Sequence, residues 1–422
     1  MKKRNFRLLS AIVIMVSLLL YSCEGSSRTK NTPQKLHDNA SEVIQPEKPV
    51  VNVYIENSYS LDGYVNGETE FKEAVFNYIG RIKRLGITDT LNLYYINRVI
   101  LWQGAAIKDS STVIMQDFVQ KLNPTTFKNK GGRHEDRQES DLANIIKSVL
   151  SITKSNEISI LVSDGIFSPG KQDAANYLSS QREGIAIAVD EYLDKYPNAA
   201  VMVYQLSSIF NGTFYDKTDK RIPIKEQRPY YIYVFGDLMH LSNLRKKSPD
   251  SDFIGGGVNN VFSVMSGNKE VYYFINPSIG KFQKSKKDTK ATIEGLEKDS
   301  RTGNVKFAVN VDLSGMLLDE AYLLNSDNYE NNSKYDLEIK PSATQNSNFT
   351  HIFNFTSDRI FKGPVVVKLK ARRPAWIDEV NDNDGTTAAK GKTYGIKYQL
   401  DGIYDAFTQE NKYYMEFKIN IN

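Results

Sequence analysis

From Pro49 onward, apolar and polar positions alternate between two periods. Residues 50–55 form an apolar run of strand type, residues 68–85 set Phe71, Val75, Tyr78, Ile79 and Ile82 at helical spacing, and residues 91–101 return to β-branched and aromatic side chains. Residues 112–122 and 141–152 have helical spacing, 158–162 is a short apolar strand, and 172–196 is a long helical stretch despite Gly184. Residues 200–209 and 230–235 read as strands, and 237–247 as a closing helix. Strands alternating with helices at this spacing predict an α/β fold over residues 49–248, an open, mostly parallel sheet with helices on both faces. The unbroken apolar strand at 158–162 fits burial on both sides.

Past residue 250 the helical period fades. Strand-like runs recur at 270–275, 305–311, 336–339, 351–355 and 365–369, separated by Asn, Ser, Asp and Gly, which predicts a C-terminal β-rich, sandwich-like domain over 249–372. The tail, 373–422, carries an acidic turn at 378–385, a helix near 394–407 and an alternating strand at 413–421.

The amino-terminal segment has a different pattern. Residues 1–22 contain Lys2, Lys3, Arg4 and Arg7, no acid, and then an apolar run from Leu8 to Leu20, the layout of a secretory signal peptide. At about 13 residues the run falls short of the roughly 20 that a spanning helix needs. It ends in Leu20-Tyr21-Ser22-Cys23, which resembles a bacterial lipobox, and Cys23 is the only cysteine. That resemblance implies a lipoprotein lipidated at Cys23 and anchored to a cell-envelope membrane, expected to be the outer membrane of a Gram-negative bacterium. Residues 24–48, rich in Ser, Asn, Lys, Thr and Pro, read as a flexible tether.

The formal charge of +4 (54 basic against 50 acidic residues) disappears if the four basic residues of 1–22 are removed, and with it any case for nucleic acid. Lipidation of Cys23 leaves no cysteine for a disulfide, a zinc site or a nucleophile. The four histidines, His37, His134, His240 and His351, are too dispersed for a ligand pair.

Glu56-Asn57-Ser58-Tyr59-Ser60 follows the first strand. Alternate residues of an extended segment share a face, so the Glu56 carboxylate and the Ser58 and Ser60 hydroxyls are expected to converge. Hard divalent cations take such oxygen donors. Ser140 stands just before the helix beginning at 141, and Asp164 follows the 158–162 strand in Ser163-Asp164-Gly165. All three segments fall at the carboxyl edge, where open α/β sheets place ligands. In order and chemistry, residues 50–245 resemble the von Willebrand factor type A (vWA) domain and its metal-ion-dependent adhesion site. The family's Asp-x-Ser-x-Ser is matched by Glu56, Ser58 and Ser60, its later Thr by Ser140, and its Asp-Gly by Asp164 and Gly165. The chain departs from the pattern twice. Glu56 adds a methylene that displaces the carboxylate, and Ser140 keeps the hydroxyl of Thr without its methyl group.

The resemblance implies adhesion or scaffolding in which Mg²⁺, with Mn²⁺ or Ca²⁺ as alternatives, is held by these residues and a protein partner supplies an acidic side chain to it. Two other expectations stay open. One is a metal-assisted hydrolase using the same donors, for which Asp62 and Asp141 are the nearby acid–base candidates. The other is an accessory protein of envelope assembly with an inactive metal site.

Other signals weigh less. Gly165, Gly170 and Lys171 satisfy half of a phosphate-loop pattern, but Gln172 replaces the metal-binding Ser or Thr and Pro169 removes a backbone donor. An EF-hand register at 380–391 fails at Val380 and Gly391, which leaves the acidic turn at 378–385 as either a looser Ca²⁺ site or a solvated turn. The tyrosines at 230, 231, 233, 272, 273, 413 and 414 lie on expected strands, where packing is their ordinary role. His134 belongs to a polar loop just ahead of Ser140.

Overall fold

The computed structural model describes residues 47–106, 111–138, 141–167, 173–342 and 348–422. Cys23, the signal-like segment, most of the tether, Ser140 and the 168–172 part of the phosphate-loop-like stretch lie outside them. The amino-terminal half contains β1 (Val50–Glu56), α1 (Glu70–Arg84), β2 (Leu91–Ile96), β3 (Ile100–Ala106), α2 (Ser111–Gln120), α3 (Pro124–Lys130) and α4 (Leu142–Ile152). These are followed by β4 (Glu157–Ser163), α5 (Ala174–Lys195), β5 (Ala199–Tyr215), β6 (Arg221–Asp237), α6 (Leu238–Lys247) and β7 (Val258–Met265).

Local chemistry explains the helix starts. Thr69, Asn123, Asp141, Asp173 and Asp237 each accept a backbone N–H from the first turn of the helix they precede. On α1 the predicted stripe of Phe71, Val75, Tyr78, Ile79 and Ile82 is buried.

Seven strands pair in the order β3-β2-β1-β4-β6-β5-β7. Only β1–β2 and β1–β4 are parallel; β2–β3, β4–β6, β5–β6 and β5–β7 are antiparallel. The fold is mixed α/β, and the expectation of a mostly parallel sheet is corrected. The 91–101 run is not one strand but most of the β2–β3 hairpin. After α5, the chain makes a second and longer hairpin instead of another crossover. Its turn is held by Asp216, whose Oδ1 accepts the N–H groups of Thr218 and Lys220 at 2.8 and 2.9 Å.

The two strands of that hairpin pair along their whole length, Ala199↔Asp237 to Tyr215↔Arg221. Yet β7 joins β5 only over 200–206, and β4 joins β6 only over 231–236. Residues 207–215 and 221–229 therefore stand clear of the sheet as a two-stranded arm. Along β6 the alternation of side chains serves two layers. Tyr230 meets Phe71 of α1 at 4.9 Å between ring centroids, whereas Tyr231 and Tyr233 turn away to bond Thr393 and Gln399. All three rings are buried, as strand packing requires.

The remaining strands are β8 (Tyr273–Ile275), β9 (Lys281–Lys284), β10 (Thr292–Glu297), β11 (Val305–Val311), β12 (Tyr329–Asn331), β13 (Asp336–Pro341), β14 (His351–Ser357) and β15 (Gly363–Lys370), with the short α7 (Glu320–Leu324) between β11 and β12. After β15 come α8 (Trp376–Glu379), β16 (Asn381–Asp382), β17 (Thr393–Tyr394), α9 (Ile396–Thr408) and β18 (Tyr413–Ile421). Two larger sheets result, β12-β15-β18-β10-β9 and β13-β14-β11-β8, beside the short parallel pair β16-β17. Phe353 of β14 and Phe417 of β18 meet between them, with ring centroids 5.3 Å apart. The tail contributes to both halves of the molecule: β18 lies between β15 and β10, and α9 packs on α5, where Arg182 Nε donates to Asp405 Oδ2 at 2.8 Å.

Candidate metal centre

β1 and β4 are parallel neighbours, so their carboxyl ends deliver Glu56 and Ser163-Asp164 to the same edge. Past Glu56 the chain leaves the strand and enters a 3₁₀ turn at Ser60–Tyr64. Ser58 and Ser60 do converge, with their Oγ atoms 2.9 Å apart, but through this turn and not through strand alternation. The Glu56 side chain is fully buried, and its Oε2 accepts the Ser163 hydroxyl at 2.5 Å. The same Ser163 oxygen accepts the Gly165 N–H at 2.9 Å.

Asp164 is 1% exposed. Its Oδ1 accepts the Ile166 N–H at 3.1 Å, and its Oδ2 is buried with no hydrogen-bond partner among the described residues. Burial pushes this carboxyl above the usual carboxylate range, while the nearby Ser60 hydroxyl, the Ile166 amide and the Arg228 charge oppose the shift. Three of the five predicted residues, Ser58, Ser60 and Asp164, are thus brought together. Glu56 is held beside them through Ser163, and Ser140 lies outside the described residues.

The loop carrying the serines is rigidly held. Arg137 is 2% exposed; its Nε donates to Asn57 O at 2.9 Å, and its Nη2 to Ser58 O at 3.3 Å and Asp62 Oδ1 at 2.5 Å. The guanidinium also lies over the Tyr59 ring, 4.5 Å from its centroid. Below the loop, Asn97 Nδ2 donates to Asn57 Oδ1 at 3.0 Å, and Asn57 Nδ2 to Phe127 O at 3.1 Å. His134 packs against Tyr59 with ring centroids 5.4 Å apart, at the rim of the loop. Of the two acid–base candidates, Asp62 is joined to Arg137 and Asp141 caps α4 through the Asn144 N–H at 3.1 Å.

The hairpin arm and the tail cover the edge. On the arm, Gly212 sits on Gly63: a Cβ added there would come 2.7 Å from the Gly63 Cα. Phe210 meets Tyr64 at 5.0 Å. Arg228, 3% exposed, lies over the Phe214 ring at 4.8 Å and brings positive charge toward Asp164. From the tail, Gln399 donates to Gly165 O at 2.5 Å and accepts the Tyr233 hydroxyl at 2.6 Å. Arg137, Ser163, Arg228 and Gln399 were not legible as site residues in the sequence. None belongs to a recognisable spacing, and Gln399 comes from more than 200 positions away from Gly165.

The donor set fits a small hard cation. It is made only of oxygen, and it includes one buried carboxylate oxygen without a hydrogen-bond partner among the described residues, while the positive charge of Arg228 near Asp164 works against a cation there. No group of three or more His, Cys, Asp or Glu side chains able to hold a metal occurs among the described residues, so any such site depends on hydroxyl and water oxygens. No family model matches the chain, and no curated protein matches it as a relative.

Proposed function

We propose that this chain is an envelope lipoprotein, anchored through Cys23, whose vWA-like α/β domain captures a protein partner through a divalent cation held by Ser58, Ser60 and Asp164. The carrying observation is the pair of hydroxyls 2.9 Å apart beside the buried, unpartnered Asp164 Oδ2. An octahedron with metal–oxygen distances of about 2.05 Å has edges of about 2.9 Å, whereas calcium distances of about 2.4 Å call for edges near 3.4 Å. The observed 2.9 Å is compatible with two adjacent ligands of Mg²⁺ or Mn²⁺, and it is equally the length of an ordinary hydrogen bond between hydroxyls. In the cation-free state a hydrogen bond between the serines keeps the same spacing.

In this reading Arg137 fixes the loop so that both hydroxyls stay oriented, Asp164 supplies charge, and Glu56 acts through Ser163. A partner's Asp or Glu side chain completes the coordination. Binding is favoured over hydrolysis because Asp62 and Asp141 are both engaged in holding the fold, and a hydrolase needs a carboxylate free to move a proton. The accessory reading with an inactive site has one observation in its favour, the engagement of Glu56 by Ser163.

Calorimetric titration of Mg²⁺ and Mn²⁺ into the chain from residue 40 onward, beside Asp164→Asn, separates these readings. Saturable binding that the variant loses supports cation-dependent capture. Absence of binding in both supports the inactive site and moves the search for a partner to metal-independent surfaces.

A further inference from the structure

A groove of about 550 Å³ runs beside the start of β7, the free edge strand of the large sheet, and shares no residue with the proposed metal centre. Asp250, Phe253, Asn259, Asn260, Asp319 and Trp376 form its walls. The Trp376 indole is pinned to the strand edge by its Nε1–H, which donates to Val261 O at 3.3 Å. Both asparagine amides point their nitrogens inward: Asn259 Nδ2 donates to Ser207 Oγ at 2.6 Å and Asn260 Nδ2 to Gln205 Oε1 at 2.7 Å. Their carboxamide oxygens are left as acceptors.

The two carboxylates are joined by one cation. Arg245 Nη2 donates to Asp250 Oδ2 at 2.5 Å and also to Asp319 Oδ1. The other Asp250 oxygen, Oδ1, is buried, and the interior Tyr204 hydroxyl lies beside this carboxylate. The walls thus present the two carboxamide oxygens and the Asp319 carboxylate as acceptors beside a fixed aromatic plane.

This chemistry narrows the ligand. An anion would meet two carboxylates against one guanidinium. A cation would have to sit against Arg245, which already occupies the position between them, and an ammonium head needs far less room. A molecule rich in hydroxyl donors, uncharged, and with one apolar ring face for the indole meets every requirement. We propose that this groove is a binding site for a neutral saccharide, with Trp376 as the stacking platform and Asn259, Asn260 and Asp319 accepting its hydroxyls.

The chain has two tryptophans, Trp102 and Trp376, so in a Trp102→Phe background Trp376 is the only indole reporter. Maltose, cellobiose and N,N′-diacetylchitobiose are titrated into that protein, with a uronic-acid disaccharide and N-acetyl-argininamide as charged comparisons. The expected result is a saturable fluorescence change with at least one neutral disaccharide, protection of Trp376 from acrylamide quenching, and affinity weakened about tenfold by Asn259→Ala or Asp319→Asn. Both variants alter side chains at the groove mouth, and their thermal melts report whether the fold survives. Three results would overturn the proposal: no saturable change with any neutral disaccharide, undiminished affinity in both variants while folded, or preference for the uronide or the argininamide.

Discussion

Arg137 and Asp62, 75 positions apart in sequence, form an ion pair of 2.5 Å in which the arginine is 2% exposed and the aspartate 27%. The same guanidinium holds the carbonyls of Asn57 and Ser58, so one buried cation sets the path of the loop that carries both candidate metal-binding serines.

Removing that guanidinium takes a donor from the Asn57 carbonyl and the Asp62 carboxylate, while the Ser58 carbonyl keeps the Leu61 N–H. Breaking a buried ion pair typically costs 3–5 kcal/mol, and because Asp62 can regain water, Arg137→Ala is expected at the lower end, about 3 kcal/mol. Arg137→Lys keeps the charge but not the planar fork that reaches three acceptors. It should stay folded in thermal melts while Mg²⁺ affinity falls. Unchanged affinity in a folded Arg137→Lys protein would show that the loop is ordered without the arginine.

Asp164→Asn removes a buried charge that the cation-free protein does not fully satisfy. The variant should melt higher than the parent in EDTA, by about 1 kcal/mol of stability, and gain nothing further from added Mg²⁺. The parent should gain stability as Mg²⁺ is added. Equal responses of the two proteins to Mg²⁺ would place any bound cation elsewhere.

Gly165 has φ +68°, and a Cβ on it would lie 2.8 Å from the Tyr231 ring and 3.3 Å from Ile396 Cδ1. Backbone strain and the clash with a fully buried tyrosine act together, so Gly165→Ala should lose about 1–3 kcal/mol in chemical denaturation. A loss of only a few tenths would mean that the tail moves aside freely at this point.

His351 begins β14 at 2% exposure, with Nδ1 2.8 Å from Thr350 Oγ1. Burial lowers its pKa below the usual 6.5, although Glu320 and Asp312 pull the other way. The unfolded chain therefore takes up the proton first as pH falls. The histidine's contribution is complete above pH 6.5 and declines as pH drops toward its folded value. Denaturation midpoints measured between pH 8 and pH 5 should show this decline, and His351→Asn should flatten it.

Much of the fold was legible because the main elements obey local rules. The α1 stripe and the β18 alternation are set by residues within one or two turns of each other, and periodicity records such constraints directly. Misreadings arose where strand pairing, and not local periodicity, decides the structure. The 91–101 run is continuous in chemistry but folds as a hairpin, and the β5–β6 arm crosses a polar stretch that resembles a loop until its two sides are paired. Asp164 follows β4 at the edge where the strand order puts it, whereas Ser58 and Ser60 approach each other through a 3₁₀ turn that the strand-alternation argument did not anticipate. Arg137, Ser163, Arg228 and Gln399 carry no local mark.

The sequence by itself therefore determined the principal strands and helices of the amino-terminal half, such as β1, α1, α4, β4 and α5, since these follow from short-range geometry. Only the tertiary structure decided the antiparallel half of the sheet, the arginine that holds the loop, and the tail that closes over β4 and β6. Those depend on which buried groups find partners across hundreds of residues, and a burial cost is settled by the partner's position in space, which local pattern does not encode.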